Sequence, residues 1–194
     1  MKTDVLEEDV EKISLHLKMK QYQFDQVMQL SREVIREAGQ TITLLHNSDS
    51  KSAAEHIASM KKVLKELSKI DDGFRYHSLQ TYQEYAEAFA FFKIKTEGRL
   101  PQISETGVDN EAYLLGLMDV VGELKREVLE ALRESDLKSA ESYFEMMKLI
   151  YDKTRHLRFA EAVLSGFRKK QDVARIQLEN AGGEILSYRL SKKR

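Results

Sequence analysis

The sequence predicts an all-α protein: a single antiparallel bundle of about six helices, with long first and last helices, covering residues 1–194 as one domain. Three observations predict it. Glu, Lys, Leu, Ala and Arg dominate the composition, and all five favour helix. One proline and nine glycines in 194 residues leave few obligatory breaks. Apolar residues recur in steps of three and four, the period of a helix with one buried face. The chain is long enough to bury a real core, and at 42% hydrophobic and 32% charged residues it reads as globular rather than disordered.

The first helix is expected over about residues 5–46, with Val10, Ile13, Leu17, Phe24, Val27, Val34, Ala38 and Leu45 on a nearly heptad stripe. A helix this long is expected to cross several partners or to continue as a seam between subunits. Asn47-Ser48-Asp49-Ser50 supplies turn and N-cap chemistry. The second helix covers about 51–70, facing inward with Ala54, Ile57, Met60, Leu64 and Leu67, and Asp71-Asp72-Gly73 breaks it. The third, about 74–96, is rich in aromatics and stops at Glu97-Gly98, with Pro101 beyond. Residues 98–109 read as a loop. The fourth helix, about 110–133, contains Gly116 and Gly122, which suit close helix–helix approach. Glu134-Ser135-Asp136 breaks the chain and caps a fifth helix over about 137–151. The last helix is expected over about 155–188, interrupted near Gly166 and frayed at Gly182-Gly183, with a mobile tail at residues 191–194.

Several function classes fall away at this level. The absence of cysteine excludes disulfides, thiolate metal sites and cysteine nucleophiles, and it fits a reducing cytoplasm. The acidic N-terminus, MKTDVLEEDVEK, lacks the apolar core of a signal peptide, and no apolar run is long enough to span a membrane. A net charge of −1 gives no global attraction to nucleic acid, so any such binding must use a local basic patch. The histidines show no ligand spacing; His46, closing the first helix, suits that helix's C-terminal dipole.

Two helices carry acids within apolar or aromatic text. YQEYAEAFAFF places Glu84 and Glu87 at i, i+3, and YLLGLMDVVGELKR places Asp119 and Glu123 at i, i+4. Each spacing puts a pair on one helix face. Such acids are costly on a buried face unless paired or metal-bound. Four carboxylates from neighbouring helices offer hard oxygen ligands suited to Mg²⁺ or Mn²⁺, and the matching chemistry is phosphodiester hydrolysis. The same spacing also suits a solvated face paired with the abundant lysines and arginines. A ferritin-like di-iron site is excluded, because residues 87 and 126 are Glu and Arg where that motif needs His. All-helical nucleoside-triphosphate pyrophosphatases match only in part, since their second helix usually carries Glu-x-x-Asp.

These residues also carry a resemblance. EYAEA together with YLLGLMDVVGELKRE is similar to the signature of translin-associated factor X, in the translin superfamily. The likeness extends through LSREVIREAGQTITLLH, FRYHSLQTYQEYAEAFAFF and KTEGRLP, and loosely over the C-terminal third. The short inter-helix loop suits a compact archaeal-type member. The resemblance implies an endoribonuclease whose Mg²⁺ ligands and catalytic residues are Glu84, Glu87, Asp119 and Glu123. Translin itself lacks acids at the first two positions, which sets this chain with the catalytic branch. It further implies a homo-oligomeric, octamer-like shell holding RNA. Candidate RNA contacts are Arg32, Arg36, Arg75, His77 and Arg126, reading phosphates and shape rather than sequence. Two alternatives stay open: a non-catalytic RNA-binding scaffold, and a nucleoside-triphosphate pyrophosphohydrolase.

Overall fold

The computed structural model describes the backbone of residues 2–192 and the side chains of residues 5–192. Lys193 and Arg194, half of the tail expected to be mobile, lie outside the described residues. Among those described there are seven helices and no strand: α1 (Lys2–His46), α2 (Ser50–Ile70), α3 (Arg75–Glu97), α4 (Ile103–Thr106), α5 (Asn110–Arg133), α6 (Leu137–Thr154) and α7 (Phe167–Ser191). Six long helices are present as expected, the last of them starting later than predicted; α4 is a single turn within the predicted loop.

The breaks follow local chemistry. Asp49, Asp109 and Asp136 each accept a hydrogen bond from a backbone N–H three residues on, at Ser52, Ala112 and Ser139. They satisfy orphan donors at the starts of α2, α5 and α6. Ser48 and Ser135, each just before its capping aspartate, adopt positive φ and reverse the chain. Gly98 closes α3 in the left-handed conformation, which glycine reaches without a Cβ penalty.

Helix α3 is the central element. It packs on α1 and α2 on one side and on α5 on the other, and α5 in turn packs on α6 and α7. Two apolar clusters flank it. Val27, Val34, Ile57, Met60, Leu67 and Tyr85 belong to the first; Phe91, Val121, Leu124, Met147, Ala174 and Ile185 belong to the second. Because α3 is buried nearly all round, its apolar residues form no single stripe. Its aromatics Tyr82, Tyr85, Phe89 and Phe91 are core residues, while Tyr76 is exposed.

Helix α1 divides into two parts. Val27, Ser31, Val34, Ala38, Thr41 and Leu45, in alternating steps of four and three, are buried against the bundle. Leu6, Val10, Ile13 and Leu17 continue that stripe toward the N-terminus but are more than half exposed. Within one chain nothing described covers them.

The last helix differs from expectation. Residues 155–166 are turns rather than helix, and α7 starts only at Phe167 after Gly166, at φ 74°. Side chains take the carbonyls that a continuing helix would have used. Gln171 Nε2 donates to the carbonyls of Thr154 and Leu157, and the Arg158 guanidinium donates to those of Arg155 and Leu157. Leu164 and Phe167 anchor the connection in the core. Gly182 and Gly183 lie within α7, with no break. Restarting the helix at Phe167 brings its first turn alongside α5 and into a cavity shared with α3.

Candidate functional site

Helices α3 and α5 meet most closely where α5 carries Gly116. A Cβ there would stand 2.8 Å from the Ala86 Cβ, 2.8 Å from the Gln83 carbonyl oxygen and 2.9 Å from the Glu87 nitrogen. Contacts that short with backbone are not tolerated, so only glycine fits. The close approach sets the Glu84–Glu87 turn of α3 against the Asp119–Glu123 turn of α5. All four acids line one cavity of about 750 Å³, together with Gln80, Gln83, Gly166, Lys169, Lys170 and Gln177. Gly122 faces the side chain of Gln177 on α7, 3.2 Å from where its Cβ would lie.

The acids have unequal surroundings. Asp119 is held by Lys170, whose Nζ stands 2.6 and 2.8 Å from its two oxygens, and it accepts a 2.7 Å bond from Gln83 Nε2. Glu123 accepts a 2.6 Å bond from His46 Nε2. Glu84 is half-buried; burial raises its pKa above the ordinary glutamate value, and nearby Asp119 adds to this. Glu87 is 8% exposed. Burial, then the neighbouring charges of Asp119, Glu84 and Glu123, push its pKa up to about 9, against an opposing pull from Lys170. A carboxyl in this setting is held neutral at neutral pH unless a cation joins it.

His46 has a role that its position at a helix end did not reveal. Its ring lies against Phe91, and both ring nitrogens meet carboxylates: Nε2 meets Glu123, and Nδ1 meets Glu127 at 2.6 Å. Lys95 Nζ meets the other oxygen of Glu127 at 2.6 Å. Burial opposes the charged imidazole, but the hydrogen bonds to Glu123 and Glu127 outweigh it and raise the pKa of His46. With acceptors at both nitrogens, the imidazolium donates twice and fixes Glu123 from behind the cavity. No sequence motif marks this chain of His46, Glu127 and Lys95. Its only sequence signal is three polar residues on faces that otherwise bury apolar groups.

The structure also separates the candidate basic residues from the acids. Arg75 donates to Asp71 at 2.9 Å, pairs with Asp109 and lies 3.7 Å from the Tyr82 ring centroid. It ties the start of α3 to the start of α5. His77 is exposed, with its ring edge-on to Phe24. Arg32 and Arg36 are exposed on α1, and Arg126 lines a different cavity with Arg133 and Tyr188. None of these five lines the acidic cavity. The cations that do are Lys169 and Lys170, from the first turn of α7.

The donor set fits a hard divalent cation in kind: four carboxylates, one of them buried and without a hydrogen-bonding partner among the described residues. As the side chains stand, no group of three or more His, Asp or Glu among the described residues is gathered to hold an ion. Asp119 and Glu123 are drawn instead to Lys170 and His46. Among the described residues no helix is long and apolar enough to cross a membrane.

Comparison with known proteins places this geometry. The translin family model matches residues 23–190. An uncharacterized protein of Methanocaldococcus jannaschii is 33% identical over 169 residues, covering 84% of this chain and 75% of that protein. Among solved structures, AfC3PO in complex with duplex RNA superposes with a TM-score of 0.89 at 26% identity, covering 95% of this chain and 98% of that one. AfC3PO alone gives 0.84 at 26% identity, covering 95% and 99%. The apo form of NeC3PO also gives 0.84, covering 92% and 96%; at 20% identity it attests the fold alone.

Proposed function

Because this chain belongs to the translin family, we propose that it binds RNA and cleaves it as a Mg²⁺- or Mn²⁺-dependent endoribonuclease. The observation that carries the reading is the cavity between α3 and α5, where Glu84, Glu87, Asp119 and Glu123 converge and Glu87 is buried with no salt-bridge or hydrogen-bond partner among the described residues. These four would hold the metal. When bound, it supplies Lewis acidity to a phosphate oxygen and acidifies an attacking water. The chain's own residues do the rest. Glu87 would give up its proton to solvent on joining the metal, Gln83 orients the Asp119 carboxylate, and His46 fixes Glu123. The RNA itself is supported by the solved AfC3PO complex with duplex RNA. The family favours RNA over a nucleoside triphosphate as the substrate. Arg32, Arg36, His77 and Arg126 are exposed and free to meet phosphates outside the cavity, and Arg75 does so with whatever its internal pairs leave open. The test is cleavage of a labelled RNA with Mg²⁺ or Mn²⁺. Activity that disappears with a chelator and returns with the metal supports the reading; activity indifferent to the chelator overturns it.

One observation favours the scaffold alternative. With Lys170 on Asp119 and His46 on Glu123, two of the four acids are ion-paired, and no group of three or more metal-ligating side chains is gathered among the described residues. A pure RNA-binding protein would keep RNA affinity and show no cleavage under any divalent ion.

The exposed stripe Leu6, Val10, Ile13 and Leu17 supports self-association, up to an octamer-like homo-oligomer. Changing all four to Ser or Gln is expected to lower the mass seen by light scattering. An unchanged mass would show that the assembly does not use this face.

A further inference from the structure

Among the described residues that line the acidic cavity, Lys170 alone sets its charge directly against an acid proposed as a metal ligand. Its ammonium nitrogen makes two short contacts to one carboxylate, 2.6 and 2.8 Å from the Asp119 oxygens. Both partners are about three-quarters buried, so the pair is only partly screened by water. The residue reaches this place because the chain breaks at 155–166 and α7 restarts at Phe167, which sets Lys169 and Lys170 at the cavity wall opposite Glu84 and Glu87. A lysine here is a compact charge on a flexible four-carbon stem, able to change partners without moving the backbone. A divalent cation on the Asp119 carboxylate takes an oxygen that this ammonium now contacts, and the two like charges repel at that distance.

We infer that Lys170 is an exchangeable counter-ion: it occupies Asp119 while the site lacks a divalent cation, and when displaced it turns to the phosphate of the RNA to be cut. This deepens the metal-dependent nuclease reading and rests on it. Displacement puts a positive charge, with that of Lys169 beside it, next to the place where the phosphate must lie. Phosphate and divalent cation then help each other: the phosphate gives the displaced ammonium a new anion, and the cation frees the ammonium to reach it. Such coupling is reciprocal.

The experiment compares the wild-type chain with Lys170→Met and Lys170→Arg. Mn²⁺ binding is followed by electron paramagnetic resonance, with and without a non-cleavable RNA, and cleavage by kcat and KM. In Lys170→Met the competitor is gone, so Mn²⁺ affinity without RNA rises about tenfold, because no fraction of the site is held by lysine. In the same variant kcat falls about 100-fold, as expected when a charge facing the transition state is lost. RNA raises Mn²⁺ affinity in the wild type but not in Lys170→Met. Lys170→Arg keeps the charge, so it folds with the pair intact, binds Mn²⁺ no tighter than wild type and retains part of kcat. The inference is overturned if Lys170→Met binds Mn²⁺ no tighter than wild type, whether cleavage survives or both functions fall together. A wild-type chain that neither binds Mn²⁺ nor cleaves RNA is a separate outcome, and it removes the nuclease reading along with the inference.

Discussion

Replacing Glu87 with glutamine is expected to abolish RNA cleavage and, in the absence of divalent cation, to make the protein more stable. Both effects come from one carboxyl. Burial and the charges of Asp119, Glu84 and Glu123 hold its pKa at about 9 in the folded chain. Unfolded, it ionises near its ordinary value of 4.5. The stability this group contributes is therefore complete below the ordinary value and is lost as pH rises toward about 9. At neutral pH, about 2.5 units above the ordinary value, the loss is on the order of 3 kcal/mol. Glutamine has the shape of the protonated acid and carries no such loss. Thermal unfolding in a chelator should show variant and wild type melting together at about pH 4, with the variant melting progressively higher as pH rises. Added Mn²⁺ should reverse the order, since only the wild type gains the Glu87 carboxylate as a ligand. Cleavage should fall at least about 100-fold, the scale of losing one directed electrostatic contact to the reacting group. A variant that melts with the wild type at every pH would show that Glu87 is not held neutral.

The second large effect concerns His46. Changing it to Gln leaves Glu123 and Glu127 facing a neutral group across a site where the imidazole is 6% exposed. Removing one partner from a buried charge network costs about 3 kcal/mol or more. Equilibrium denaturation should record that loss with an unchanged slope against denaturant. Lys95 still neutralises Glu127, so the damage to function falls on Glu123, now free to rotate away from the cavity. Cleavage per folded molecule should drop, with the larger change in kcat. A variant as stable as wild type would show that the imidazole is neutral and makes no net contribution.

The acidic quartet was legible because helical spacing is local. Glu84 with Glu87, and Asp119 with Glu123, share faces by arithmetic on neighbouring positions, and their apolar settings marked those faces as buried. Gly116 was legible for a related reason: an interior glycine in a strong helix points to close packing, and it meets the Glu87 turn. The partners of the acids were not legible. Lys170 lies 51 residues from Asp119, and His46 lies 77 from Glu123. No periodicity links such positions. Arg75 read as an RNA contact because it begins a basic stretch, yet Asp71 and Asp109 hold it from two other segments. The helix expected through residues 155–166 failed because its residues are good helix formers, and propensity was overridden by tertiary contacts. Gln171 and Arg158 satisfy the carbonyls there, and Leu164 and Phe167 pull the turn inward. That override matters for function, because a continuous helix would not present Lys170 to the cavity from a first turn.

The most direct test of the metal-dependent nuclease is a single comparison on one labelled RNA. Wild-type protein and Asp119→Asn are incubated with Mn²⁺, and binding and cleavage are measured on the same samples. The metal-site account predicts that both proteins bind the RNA and that the wild type alone cleaves it. Equal cleavage by both would contradict it, and RNA binding with no cleavage by either would leave the chain an RNA-binding scaffold.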